Sequence, residues 1–313
     1  MEKKNRGLIF SFIVLVIFGL LLGGCVPGDG VVDKNYNPVG VSASFVAGSP
    51  PDVLKEERTF AVSVRLENGA DINVKEGRVC VRGISRGYGG FSDEQCADFS
   101  LLPIVAEGKQ VRKAYDILRF QSDGYSLRER NIDETFVAKA TYLCELITGP
   151  QFCVSNRITD EDSDIDCPRI EVFTGAKVST TTAPITLTKV EKEFYSGGDG
   201  VMLSATLTLK KVNDGGYVVN SIDDKETEKE YVDIQVSYAG YGDMRCDSVR
   251  NGKLEWNRNE NEKVIKCDIS LGDVGERQSS SLDVRLRYYY RVKEQKSVKI
   301  EKVMEYDSGG GEF

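Results

Sequence analysis

Asp160, Asp162, Asp164 and Asp166 are carboxylates at alternate positions, and Glu171 follows Asp160 by eleven residues. That spacing fits the oxygen-ligand pattern of a calcium-binding loop, where hard donors at high density suit Ca²⁺. The position that needs a glycine for the sharp turn is Ile165, and Cys167-Pro168 interrupts the loop. The competing reading is therefore a solvated acidic linker, kept extended by its own charge, and no other cofactor is expected. Catalysis is narrowed by composition, because the chain has no histidine. Ser-His-Asp and Cys-His arrangements, histidine metal sites and the H-E-x-x-H helix are all excluded. Gly83-Ile84-Ser85-Arg86-Gly87 spells Gly-x-Ser-x-Gly, but a nucleophile elbow needs a helix after the serine and a histidine base. Only carboxylate-pair or Ser-Lys chemistry survives, and 49 acidic residues make some carboxylate pair inevitable. The expectation is a non-enzyme, with an exported carboxylate-dependent hydrolase as the remote alternative.

Eight cysteines provide the other chemistry. No Cys-x-x-Cys pair occurs and histidine is missing, so zinc is disfavoured and disulfides in an oxidising compartment are expected. Cys246 and Cys267 pair naturally as the last two, and closing a loop of about 20 residues contributes roughly 3 kcal/mol. Cys80 and Cys96 flank a Gly-rich loop, and Cys144 and Cys153 flank Thr148-Gly149-Pro150, which makes each a candidate pair. Cys167 is left odd, either free or competing for Cys144 or Cys153.

Cys25 belongs to a different context. Lys3, Lys4 and Arg6 precede an apolar run from Leu8 to Leu22 broken only by Ser11, the charged and hydrophobic regions of an export signal. The run ends in Leu22-Gly23-Gly24-Cys25, which resembles the lipobox of prokaryotic lipoproteins. The resemblance implies cleavage before Cys25 and two acyl chains on its sulfur, a durable anchor. An uncleaved transmembrane helix is the alternative, since the run approaches the roughly 17 residues a span needs. Either way the folded part is expected on the outer face of the cytoplasmic membrane or at the cell surface.

Removing Glu2, Lys3, Lys4 and Arg6 leaves 38 basic and 48 acidic residues, a formal charge of −10. Such a surface repels phosphate backbones, and no basic patch offsets it, so nucleic acid is not an expected partner.

The elements that must position these residues are strands. Phe60, Val62, Val64 and Leu66 alternate with polar residues; so do Val201 to Leu209, Val232 to Tyr238 and Leu282 to Tyr290. Asn68-Gly69 and Asn213-Asp214-Gly215-Gly216 supply turn chemistry. A short helical turn is expected only around Asp116 to Phe120. The fold class is therefore all-β, two tandem antiparallel sandwiches after an N-terminal signal or anchor helix. The expected divisions are 1–24 signal or anchor, 25–38 tether, 39–166 and 168–305 sandwiches, and 306–313 polar tail. Tyr88 and Tyr241 lie in Gly-flanked loops, where aromatics contact ligands or fold back to cap the sandwich.

The strand rhythm of residues 180–305, with the Cys246 to Cys267 hairpin, Tyr288-Tyr289-Tyr290 and Ser297-Val298-Lys299-Ile300, is similar to the immunoglobulin-like or CARDB-like sandwiches of archaeal and bacterial surface proteins. That resemblance implies adhesion, scaffolding or binding, with an envelope protein or surface polymer as partner. The runner-up is an accessory or ligand-binding subunit of an envelope transport or secretion complex. A fold of this kind fixes no activity by itself.

Overall fold

The computed structural model describes residues 39–303, apart from 86, 92, 108–109, 129, 157–166, 179–180, 199, 214 and 224–228. The signal or anchor segment, Cys25 and the four aspartates of the acidic stretch lie outside the described residues. Residues 38–313 fall in one compact unit. The fold is all-β, and the strands pair antiparallel except for Val53–Lys55, which runs parallel to the C-terminal strand. The single helical turn among the described residues is Gly175–Lys177. Asp116 to Phe120 lie within the strand Ala114–Ser122, not a helical turn, because pairing with Phe60–Asn68 overrides the weak local pattern. No helix among the described residues is long and apolar enough to cross a membrane.

Two long strands organise the molecule. Ile132–Thr148 pairs along its whole 17-residue length with Gln278–Glu301, a strand of 24 residues. The sequence divides the chain into sandwiches at 39–166 and 168–305; in the structure the main sheet draws strands from both stretches. The Leu282 end of the C-terminal strand also pairs with Glu230–Tyr238, and Val74–Gly83 pairs with the middle of Ile132–Thr148, from Phe136 to Tyr142.

Along the C-terminal strand the even positions Leu282, Val284, Leu286, Tyr288, Tyr290, Val292, Val298 and Ile300 are all buried. Period-two geometry puts them on one face of the sheet, so both smaller sheets pack on that face. The sheet of Val41–Phe45, Phe60–Asn68 and Ala114–Ser122 covers one end, with Phe60 5.7 Å from Phe136. The five-stranded sheet that includes Ile185–Gly197 and Gly200–Lys211 covers the other, with Phe152 5.4 Å from Phe173.

Tyrosines fill the seam between the two. The Val41 N–H donates to Tyr142 Oη at 2.9 Å, and the Ile185 N–H donates to Tyr288 Oη at 2.8 Å. Tyr290 Oη donates to the Asn213 carbonyl at 2.6 Å. Each ring thus buries apolar area while its hydroxyl satisfies a backbone group of a covering strand or, for Tyr290, of the loop that follows Gly200–Lys211. Gly40 completes the seam at φ +75°: a Cβ there would lie 2.2 Å from Tyr142 Oη and 2.7 Å from Pro184 Cγ. Only glycine accepts both the left-handed backbone and that approach.

Two disulfides match the sequence pairing. Cys80–Cys96 and Cys246–Cys267 each join residues directly opposite on neighbouring strands. The third corrects it: Cys153 pairs with Cys167, and Cys144 is a free, buried thiol. Ile132–Thr148 and Gln151–Val154 pair in one continuous register with the same C-terminal strand, so Thr148-Gly149-Pro150 is no hairpin turn and the chain runs straight on. Cys144, opposite Tyr288 in the core, and Cys153, opposite Ser279, therefore lie nine residues apart along one extended line and cannot meet.

Candidate functional site

The odd positions of Gln278–Glu301 face away from both covering sheets and form the outer surface of the main sheet. One cross-strand row runs over four adjacent strands there. Glu145 is opposite Arg287, Arg287 is opposite Asp233, and Asp233 is opposite Lys253. The charges alternate in sign across the row. A second row sets Ile147 opposite Arg285 and Arg285 opposite Gln235.

These rows floor an open groove of about 740 Å³ bordered by Glu145, Ile147, Asp233, Gln235, Asp243 and Arg285. A second depression of about 310 Å³ adjoins it, bordered by Asn220, Tyr231, Lys253 and Tyr289. Both share Asp233 and Arg287. On the same face Arg78 bonds Asp223 as well as Asp98.

Several groove groups already have partners. Arg287 Nε donates to Glu145 at 2.9 Å, Gln235 Nε2 donates to Asp243 at 2.9 Å, and Tyr289 Oη donates to Glu76 at 2.7 Å. Burial, followed by Glu76, pushes the Tyr289 phenol above its ordinary range, so it stays neutral and a donor. The Lys253 ammonium lies 5.9 Å from the centre of the Tyr231 ring. Asp233 and Arg285, both exposed, make no hydrogen bond or ion pair with the described residues. The face therefore presents an acceptor-only carboxylate and a five-donor guanidinium ready for an external partner.

The residues singled out from sequence lie elsewhere. Glu171 is committed to Lys192, whose Nζ sits 3.1 Å from the carboxylate and 2.9 Å from the Cys153 carbonyl. The Cys153–Cys167 disulfide brackets the acidic stretch next to this pair. Tyr88 and Tyr241 are partly buried against the core, and neither borders the groove. Tyr241 stacks on Tyr238 at 5.5 Å and bonds Gln278, an arrangement of the fold-back kind that the sequence offered beside ligand contact. Cys80, Cys96 and Glu94 also cluster, but both sulfurs are consumed by their disulfide, which leaves no thiolate for a metal. Asp233, Arg285 and Glu145 escaped sequence reasoning. The only local sign was a charged alternate face in Asp283-Val284-Arg285-Leu286-Arg287.

No protein-family model matches the chain, and no curated protein does. Among solved structures it is similar to Escherichia coli alpha-2-macroglobulin activated by porcine elastase, at 10% identity over 86% of this chain and 22% of that one, with a TM-score of 0.20. It is also similar to the C-terminal globular domain of oligosaccharyltransferase from Pyrococcus abyssi, at 7% identity over 81% and 46%, with a TM-score of 0.19. The chain spans less than half the length of either.

Proposed function

We propose that this chain is an extracytoplasmic lipoprotein, anchored through Cys25, whose paired immunoglobulin-like sandwiches act as a non-enzymatic binding or adhesion module. The observation that carries the reading is the open groove on the outer face, where the Asp233 carboxylate and the Arg285 guanidinium have no partner among the described residues. Exposed polar groups on rigid strands suit recognition, because the scaffold holds them at no further ordering cost. Three disulfides accord with an oxidising compartment.

A photo-reactive benzophenone side chain at Ile147, beside the groove, is the test on intact cells. The control position is Lys210, exposed on a strand of the five-stranded sheet. Adducts from Ile147 that Lys210 does not give support a binding face, and mass spectrometry of the same material reads the lipid on Cys25. Equal or empty capture from both positions rejects the groove. A stoichiometric membrane-protein adduct favours the accessory-subunit reading.

A further inference from the structure

We infer that the groove takes an extended, uncharged polysaccharide chain; the inference rests on the binding-face reading above. Charge balance is the first argument. Arg285, Arg287 and Lys253 face Glu145, Asp233 and Asp243 across the two depressions. An anionic polymer would meet three carboxylates and a cationic one three cations, so neither is favoured.

Hydrogen-bonding capacity is the second. A sugar hydroxyl both donates and accepts, so neighbouring hydroxyls satisfy the Asp233 carboxylate and the Arg285 guanidinium together. The third is apolar surface beside the polar groups. Ile147 is 60% exposed, and Tyr231 and Tyr289 border the smaller depression. Aliphatic and aromatic faces of this kind take the C–H side of a pyranose while its hydroxyls reach the charged rows.

Topology argues against an extended peptide. Glu230–Tyr238 pairs with strands on both sides, and so does the Leu282 to Arg287 stretch of the C-terminal strand. Both strands are interior to the sheet, so a peptide cannot add beside them as a further strand. The two depressions share Asp233 and Arg287 and are each of ligand-binding size, so together they accommodate a chain longer than one ring.

The test uses the full-length protein in detergent micelles and three defined probes, maltohexaose, cellohexaose and mannohexaose, with a neutral Gly-Ser hexapeptide as competitor. Calorimetry should show saturable binding of at least one oligosaccharide and none of the peptide. Arg285→Ala and, separately, Asp233→Ala should weaken it by about ten-fold or more, the loss of one well-made polar contact. Their melting temperatures should be unchanged, since neither side chain bonds to any of the described residues. Binding should also persist at about 1 M NaCl, where exposed ionic attraction is screened.

Absence of binding by all three sugars, equal binding by both variants, or loss of binding in salt overturns the inference. Specific capture of a protein at Ile147 without sugar binding rejects the polysaccharide and leaves the binding face standing. Failure of both experiments rejects both.

Discussion

Asp233 stands directly opposite Arg287 in the antiparallel register, yet the Arg287 guanidinium turns to Glu145 on the other side, at 2.9 Å. That orientation leaves Asp233 as an open acceptor in the groove among the described residues. Arg287 and Glu145 are each about half exposed, at 55% and 52%. A double-mutant cycle of Arg287→Ala with Glu145→Ala, read by urea unfolding, should give a coupling of about 0.5 kcal/mol, as for exposed pairs. A coupling several times larger would mean that the groove is desolvated.

Cys153–Cys167 closes a loop with a sequence separation of 14. Replacing both residues by serine should cost about 3 kcal/mol in the chain-entropy picture, measured by chemical denaturation. Non-reducing peptide mapping should recover a Cys153-Cys167 peptide and none joining Cys144. A Cys144–Cys153 peptide would contradict the register of Ile132–Thr148.

Cys144 is fully buried, and burial pushes its thiol above the ordinary range despite a hydrogen bond with Tyr288. It should resist thiol reagents in the folded protein and react as one equivalent in denaturant. A second equivalent would identify Cys25 as free, and so count against the lipid anchor.

Alkaline stability follows from the buried phenols. Burial pushes Tyr142 and Tyr288 well above 10, and burial with Tyr241 pushes Tyr238 up to about 12. Unfolded tyrosines ionise near pH 10, so between that value and the folded one the unfolded chain holds fewer protons. The stability these groups contribute is therefore complete below pH 10 and lost as pH rises toward 12. Urea midpoints should fall over that interval, and Tyr288→Phe should reduce the slope at the cost of its bonds to Ile185.

Lys192 has a side chain with no exposure, bonded to Glu171 and the Cys153 carbonyl. Burial lowers its pKa below 10.5 against the opposing pull of Glu171. Its ionisation then has the reverse sign, with stability gained as pH rises through the folded value toward 10.5. Lys192→Ala should cost about 1–3 kcal/mol by leaving the carbonyl unpaired in a cavity. Lys192→Met, which fills the same space, should cost less.

The sequence by itself determined the strand chemistry of this protein. Period-two alternation marks Phe60–Asn68 and the Leu282 to Tyr290 stretch as half-buried, because successive side chains on a strand point to opposite faces whatever the partner. The two cross-strand disulfides were legible because Cys80 with Cys96 and Cys246 with Cys267 each lie within a short stretch of chain. Tertiary structure alone decided which strands meet. Arg287 and Glu145 are 142 residues apart, and nothing in either segment encodes the alignment that brings them to 2.9 Å. That alignment follows from burying the apolar stretches Leu282 to Val292 and Val298 to Ile300 of one strand face beneath two separate sheets, since a shift of one residue would turn Tyr288, Tyr290 and Cys144 toward solvent. The groove, with Asp233 and Arg285 unpartnered among the described residues, is a consequence of that register.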